Sequence, residues 1–130
     1  MVSCAAALAT LDVIQDEDLV ANARARGAQL AGGLRELAAD HGAIGDVRGL
    51  GCMVAMEFVR PGTARGAAAP DPDPDLAKRV IAAALERQLI VLSAGSYGNV
   101  ARIIPPLVTT SDEVDQALRV LDESLGVAGA

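Results

Sequence analysis

Aromatic side chains are nearly missing: 130 residues contain no tryptophan, one tyrosine and one phenylalanine. A core built under that limit must come from Ala, Val, Leu and Ile, with close packing of small side chains. Histidine occurs once, at His41, and lysine once, at Lys78. A single histidine leaves no Ser–His or Cys–His arrangement for nucleophilic catalysis, and no paired carboxylates stand out, so no catalytic residue is assigned. No apolar run approaches the roughly 18–20 residues that span a bilayer. No Lys/Arg-rich run occurs, and the formal charge is −6. An acidic surface repels phosphate backbones, so neither nucleic acid nor membrane is an expected partner. The two cysteines, Cys4 and Cys52, are far apart and lack metal-ligand spacing. They read as two buried small apolar side chains, with no metal site. Met1-Val2-Ser3-Cys4 lacks the positive start of a signal peptide, which sets the expectation of a cytoplasmic protein in a reducing compartment.

The length suits one modest domain. Residues 3–15 are alanine-rich and predict a helix that begins abruptly, as at a cut edge. Val20, Ala23, Gly27, Leu30, Leu34, Leu37 and His41 recur in steps of three and four, which predicts a helix over 18–41. Arg24, Arg26, Arg35, Glu36 and Asp40 then face solvent, and Gly42 is the expected left-handed stop. Ile44–Cys52 reads as a short strand and glycine turn leading into a strand at Met53–Val59. Residues 61–75 form a Pro/Gly/Ala/Asp loop, expected to be mobile and exposed. Asp73 caps a helix with Pro74 at its first position, running to about Arg87. Leu89-Ile90-Val91-Leu92 predicts a buried strand, and Val100–Ile104 a returning strand ended by Pro105-Pro106. Thr110 and Glu113 form a capping box for a last amphipathic helix, with a frayed tail over 126–130. This order gives an α+β fold: a small, mostly antiparallel sheet with helices packed on one side.

Among these elements, Arg102 is the residue that points to chemistry. It sits between a Gly/Asn turn and an apolar strand, so its backbone is fixed near the interior. A guanidinium offers a planar fork of donors that matches a carboxylate. The residues alone leave two readings open, an anion receptor or a structural arginine paired with a nearby carboxylate. Arg48, between Val47 and Gly49, is a second cation for which the structural reading is preferred. Gly49-x-Gly51 lacks the third glycine and the following helix of a phosphate loop. Its glycines suit a positive φ or a close backbone approach. His41 beside a helix end reads as a cap or surface residue. Lys78 follows the acidic loop and is expected to face solvent, unlike a lysine tuned for imine chemistry.

Three segments, taken together and in order, carry a resemblance: Ser3-Cys4-Ala5-Ala6-Ala7-Leu8-Ala9, Gly45-Asp46-Val47-Arg48-Gly49-Leu50-Gly51, and Gly98-Asn99-Val100-Ala101-Arg102-Ile103-Ile104-Pro105-Pro106-Leu107. From about Val2 to Leu125 the chain resembles the C-terminal part of class III (ω-) aminotransferases, and the lead-in Tyr97-Gly98-Asn99-Val100 is most similar to the 4-aminobutyrate group. The resemblance implies the small C-terminal domain of such an enzyme. Residues 1–16 would be an interdomain helix, and the large domain and its lysine would lie before this chain. It implies pyridoxal 5'-phosphate as cofactor of the full-length enzyme, with none bound to this chain. It also implies a homodimer, amino- and oxo-acid substrates, and amino-group transfer from 4-aminobutyrate or a similar ω-amino acid to 2-oxoglutarate. Arg102 matches the family's carboxylate-receiving arginine; the isolated chain would be inactive. Met1 stands where relatives have Asn-Pro, and Gln88 where they usually place glycine. A freestanding α+β module that senses a small carboxylate, or a pure assembly domain, are the competing readings.

Overall fold

The computed structural model describes residues 1–60, 62 and 70–130. The elements run α1 (Val2–Asp16), α2 (Leu19–Asp40), β1 (Ile44–Leu50), β2 (Met53–Phe58), α3 (Pro74–Glu86), β3 (Leu92–Ala94), β4 (Val100–Ile103) and α4 (Ser111–Ala128). The fold is α+β, as expected. The four strands form one antiparallel sheet in the order β1-β2-β4-β3.

Alternation along the strands divides the sheet into two faces. Val54, Met56, Ala101 and Ile103 turn inward and join Leu30, Leu34, Val80, Leu121 and Leu125 in the core. Helices α2 and α3 lie on that face, and α4 packs against both. The opposite face carries Arg48, Ala55, Arg102 and Leu92 in one cross-strand row. Among the described elements, helix α1 touches only α2, and it buries none of its own residues.

The glycine turn combines both properties expected of it. Gly51 holds φ at +53°, and a Cβ on Gly49 would stand 2.2 Å from the Met53 carbonyl oxygen. The hairpin also needs Gly27 of α2, where a Cβ would lie 2.0 Å from the Gly51 carbonyl oxygen. Small residues thus let the helix backbone touch the turn backbone.

Helix ends follow local chemistry. Asp73 Oδ1 accepts the Leu76 N–H at 2.9 Å, with Pro74 opening α3. The capping box of α4 is complete: the Thr110 N–H donates to Glu113 Oε2, and the Glu113 N–H donates to Thr110 Oγ1. The Thr110 hydroxyl also donates to Glu113 Oε2; this bond and the larger influence, the one from the Thr110 backbone, favour the carboxylate and lower the Glu113 pKa.

Several expectations need correction. Helix α2 closes at His41 with extended backbone (φ −108°), and Gly42 is not left-handed. Its buried residues are Leu19, Gly27, Leu30, Leu34 and Ala38, while Val20 is exposed. Arg26 does not simply face solvent. Its Nη1 donates to Gln29 Oε1 at 2.6 Å, and Gln29 reaches on to Asp115 of α4, so the side chain is drawn inward. The strand expected at Leu89–Leu92 begins only at Leu92. Gln88 adopts φ +65° and turns the chain sharply after α3, which leaves Ile90 exposed and Val91 buried. The tail expected to fray is helical to Ala128, because Ala128 is buried and its carbonyl accepts the Arg79 Nε–H at 3.2 Å. At the far end of the 61–75 loop, Asp71 and Asp73 are tied to Arg60 and Phe58 by backbone hydrogen bonds; residues 61 and 63–69 lie outside the described residues. Of the cysteines, Cys52 is buried but Cys4 is exposed, because α1 has nothing covering it.

Candidate functional site

Arg102 owes its position to the turn before it. Asn99 is 1% exposed. Its Nδ2 donates to the Phe58 carbonyl at 3.0 Å and to Glu57 Oε1 at 3.2 Å, while its own carbonyl accepts the Phe58 N–H at 2.8 Å. These bonds fix how β4 enters the sheet beside β2. The resulting register sets Arg102 opposite Ala55 on one side and Leu92 on the other. The strand ends one residue after Arg102, at Ile103, and Pro105-Pro106 follows.

The guanidinium is half-buried. Its Nε is shut off from solvent and has no hydrogen-bond partner, and among the described residues no carboxylate pairs with Arg102. A buried N–H without a partner forfeits about 1–3 kcal/mol of solvation, so such groups call for an explanation. Arg102 lines a cavity of about 410 Å³ together with Leu89, Ile90, Leu92, Ile104 and Pro105, and with Thr109 and Glu113 at the start of α4. Mostly apolar walls around an unspent fork of donors suit a small molecule with a carboxylate head and a methylene chain, and Glu113 on the same wall is held by its bonds from Thr110.

The remaining candidates lie outside this cavity. Arg48 Nη1 donates to Asp46 Oδ2 at 2.7 Å and to Glu57 Oε2 at 2.5 Å. The hydrogen bonds to Asp46 and then Glu57 raise its pKa further. His41 Nε2 lies 2.9 Å from Asp122 Oδ1, which joins the end of α2 to α4. Lys78 is 75% exposed, with Asp75 at 3.8 Å. Cys52 sits behind the hairpin turn, where burial raises its thiol pKa. No group of side chains suited to a metal ion occurs among the described residues, and no helix among them is long and apolar enough to cross a membrane.

Sequence reasoning did not find the Glu57–Arg48–Asn99 cluster. The one available signal was Glu57 itself, an acid inside the apolar strand Met53–Phe58.

Comparison with known proteins gives the family. Residues 1–125 match aminotransferase class-III. The chain is 41% identical to 5-aminovalerate aminotransferase of Pseudomonas putida over 94% of its own length and 27% of that relative's. It is 38% identical to 4-aminobutyrate aminotransferase of Mycobacterium leprae over 96% of its length and 27% of the relative's. A solved phospholyase from Arthrobacter, in complex with phosphoethanolamine, superposes with a TM-score of 0.87 at 32% identity, covering 96% of this chain and 28% of that one. The chain therefore spans about a quarter of the length of the relatives it matches. By motif order, fold and matched length, this chain belongs to the class III aminotransferase family.

Proposed function

We propose that this chain supplies the carboxylate-binding part of a pyridoxal-phosphate-dependent transaminase. The reaction would move an amino group from 4-aminobutyrate, or a similar ω-amino acid, to 2-oxoglutarate. The observation that carries the reading is the half-buried guanidinium of Arg102, unpartnered among the described residues, in a mostly apolar cavity. Relatives that are a 5-aminovalerate and a 4-aminobutyrate aminotransferase support the substrate class.

The described residues do not fit the cofactor. Covalent attachment needs a desolvated lysine of lowered pKa, whereas Lys78 is mostly exposed beside Asp75. Pyridoxal phosphate, which serves as the electron sink in such reactions, would belong to a large domain packed against this one. The uncovered sheet face and α1 suit that partner: Ile90, Leu92 and Ile104 are exposed there, and α1 buries nothing. Residues 1–16 would be the interdomain helix, and the whole enzyme a homodimer.

What Arg102 does in this scheme is positional. Its fork donates two parallel N–H bonds to one carboxylate while the substrate's methylenes lie along Leu92, Ile104 and Pro105. That fixes the distance from the carboxylate to the reacting carbon. The test is Arg102→Lys in the intact transaminase. Lysine keeps the charge but loses the planar fork, so KM for the oxo acid should rise about ten-fold or more, a change of about 1.4 kcal/mol. Unchanged KM and kcat would remove Arg102 from the site.

A further inference from the structure

We propose that Arg48 is a positioning residue that keeps Arg102 available by restraining Glu57, an acid that would otherwise pair with it. The inference rests on the reading of Arg102 as the carboxylate receptor.

The sheet register carries the argument. Glu57 is paired with Val100, and Ala55 with Arg102. Glu57 and Arg102 are therefore diagonal neighbours on the same uncovered face, a separation of about 7–8 Å between backbones that long side chains cross easily. Ala55 has no bulk to keep them apart. Yet Arg102 is unpaired among the described residues, and its Nε has no partner. Glu57 is occupied elsewhere at both oxygens. Oε2 accepts from Arg48, and Oε1 accepts from the buried Asn99.

Asp46 strengthens the case. It lies directly across from Glu57 in the β1–β2 register, and Arg48 binds both carboxylates. Without the Arg48 charge, two acids would face each other across the strands, which is repulsive. Arg102, one diagonal step away on the same face, would then be open to Glu57. An internal pair there would compete with a substrate carboxylate for the same fork.

The test uses the 130-residue chain with ¹⁵N-labelled arginine, in wild type, Arg48→Met, Glu57→Gln and the double variant. In Arg48→Met the Arg102 Nε–H resonance should shift and exchange more slowly with water as the pair forms. Adding Glu57→Gln should return both to wild-type values. The dissociation constant for glutarate, read at the same resonance, should rise about five-fold in Arg48→Met and recover in the double variant, as expected for a partly exposed ion pair. A purely structural role for Arg48 would not be rescued by Glu57→Gln. An unshifted Arg102 resonance in folded Arg48→Met overturns the proposal. Pair formation with a wild-type Arg102 that ignores glutarate would instead refute the carboxylate reading and leave the restraint on Glu57 standing. If Arg48→Met does not fold, Arg48→Gln makes the same measurement with a polar side chain in place.

Discussion

Replacing Gln88 by glycine should stabilise this chain. Gln88 follows the end of α3 with φ at +65°. Its N–H donates to the Leu85 carbonyl at 2.9 Å, and the next N–H, of Leu89, donates to the Ala84 carbonyl at 2.9 Å. Those two bonds close the helix and require a left-handed residue between them. An L side chain there costs roughly 1–2 kcal/mol, which glycine avoids. Glycine gives back about 0.4–1 kcal/mol through the greater freedom of the unfolded chain. The Gln88 side chain is exposed and makes no hydrogen bond among the described residues, so little else is lost. The net gain is about 0.5–1 kcal/mol, or roughly 2–4 °C in Tm for a chain of this size. Urea unfolding followed by circular dichroism should show a higher midpoint with an unchanged slope. Gln88→Ala is the control, because it removes the side chain and keeps the backbone strain. A Gln88→Gly variant no more stable than Gln88→Ala would refute the reasoning. The position also bears on the site, since Leu89 and Ile90, which follow it, line the Arg102 cavity.

Gly27→Ala should destabilise the fold by about 2–3 kcal/mol, because the new Cβ would meet the Gly51 backbone, which cannot move aside as a side chain can; a denaturation midpoint equal to wild type would contradict the close helix–turn contact. Glu113 has a lowered pKa in the folded state, so its contribution to stability is fully present above the ordinary glutamate value and is lost as pH falls through the lowered one. The stability gap between wild type and Glu113→Gln should therefore close on acidification, and a gap that stays constant with pH would count against the capping-box charge. Cys4 should react quickly with a thiol reagent in the native state, whereas Cys52 should react only after unfolding, because it is buried and its thiolate is disfavoured; equal native rates would exclude a covered Cys52. The isolated chain should self-associate through α1, where Leu8 and Leu11 are exposed, and sedimentation of Leu8→Glu/Leu11→Glu should shift it toward monomer.

Local chemistry was enough to place most elements. The three-and-four spacing around Leu30 and Leu34 marks α2, Asp73-Pro74 marks the start of α3, and Thr110 with Glu113 marks the start of α4. Each signal is legible because its partners lie within one or two helical turns. Arg102 stood out for a similar reason: a charged residue between a Gly/Asn turn and a strand that Pro105-Pro106 must end. Where reading failed, the deciding contact lay far along the chain. Val20 fits the helical stripe but is exposed, whereas its neighbour Leu19 is the one buried at that end of α2. Ala128 was expected to fray, but the core and Arg79, 49 residues earlier, hold it.

The sequence by itself determined an α+β chain of helices and short antiparallel strands, an aromatic-poor core and one rigidly mounted arginine, since propensity, capping and alternation act between near neighbours. Only the tertiary structure decided that Arg102 would stand unpaired. That outcome depends on the strand order β1-β2-β4-β3. It brings Arg48, Glu57 and Asn99 together across separations of 9 and 42 residues, so that two acids are spent on one arginine and the other is left free.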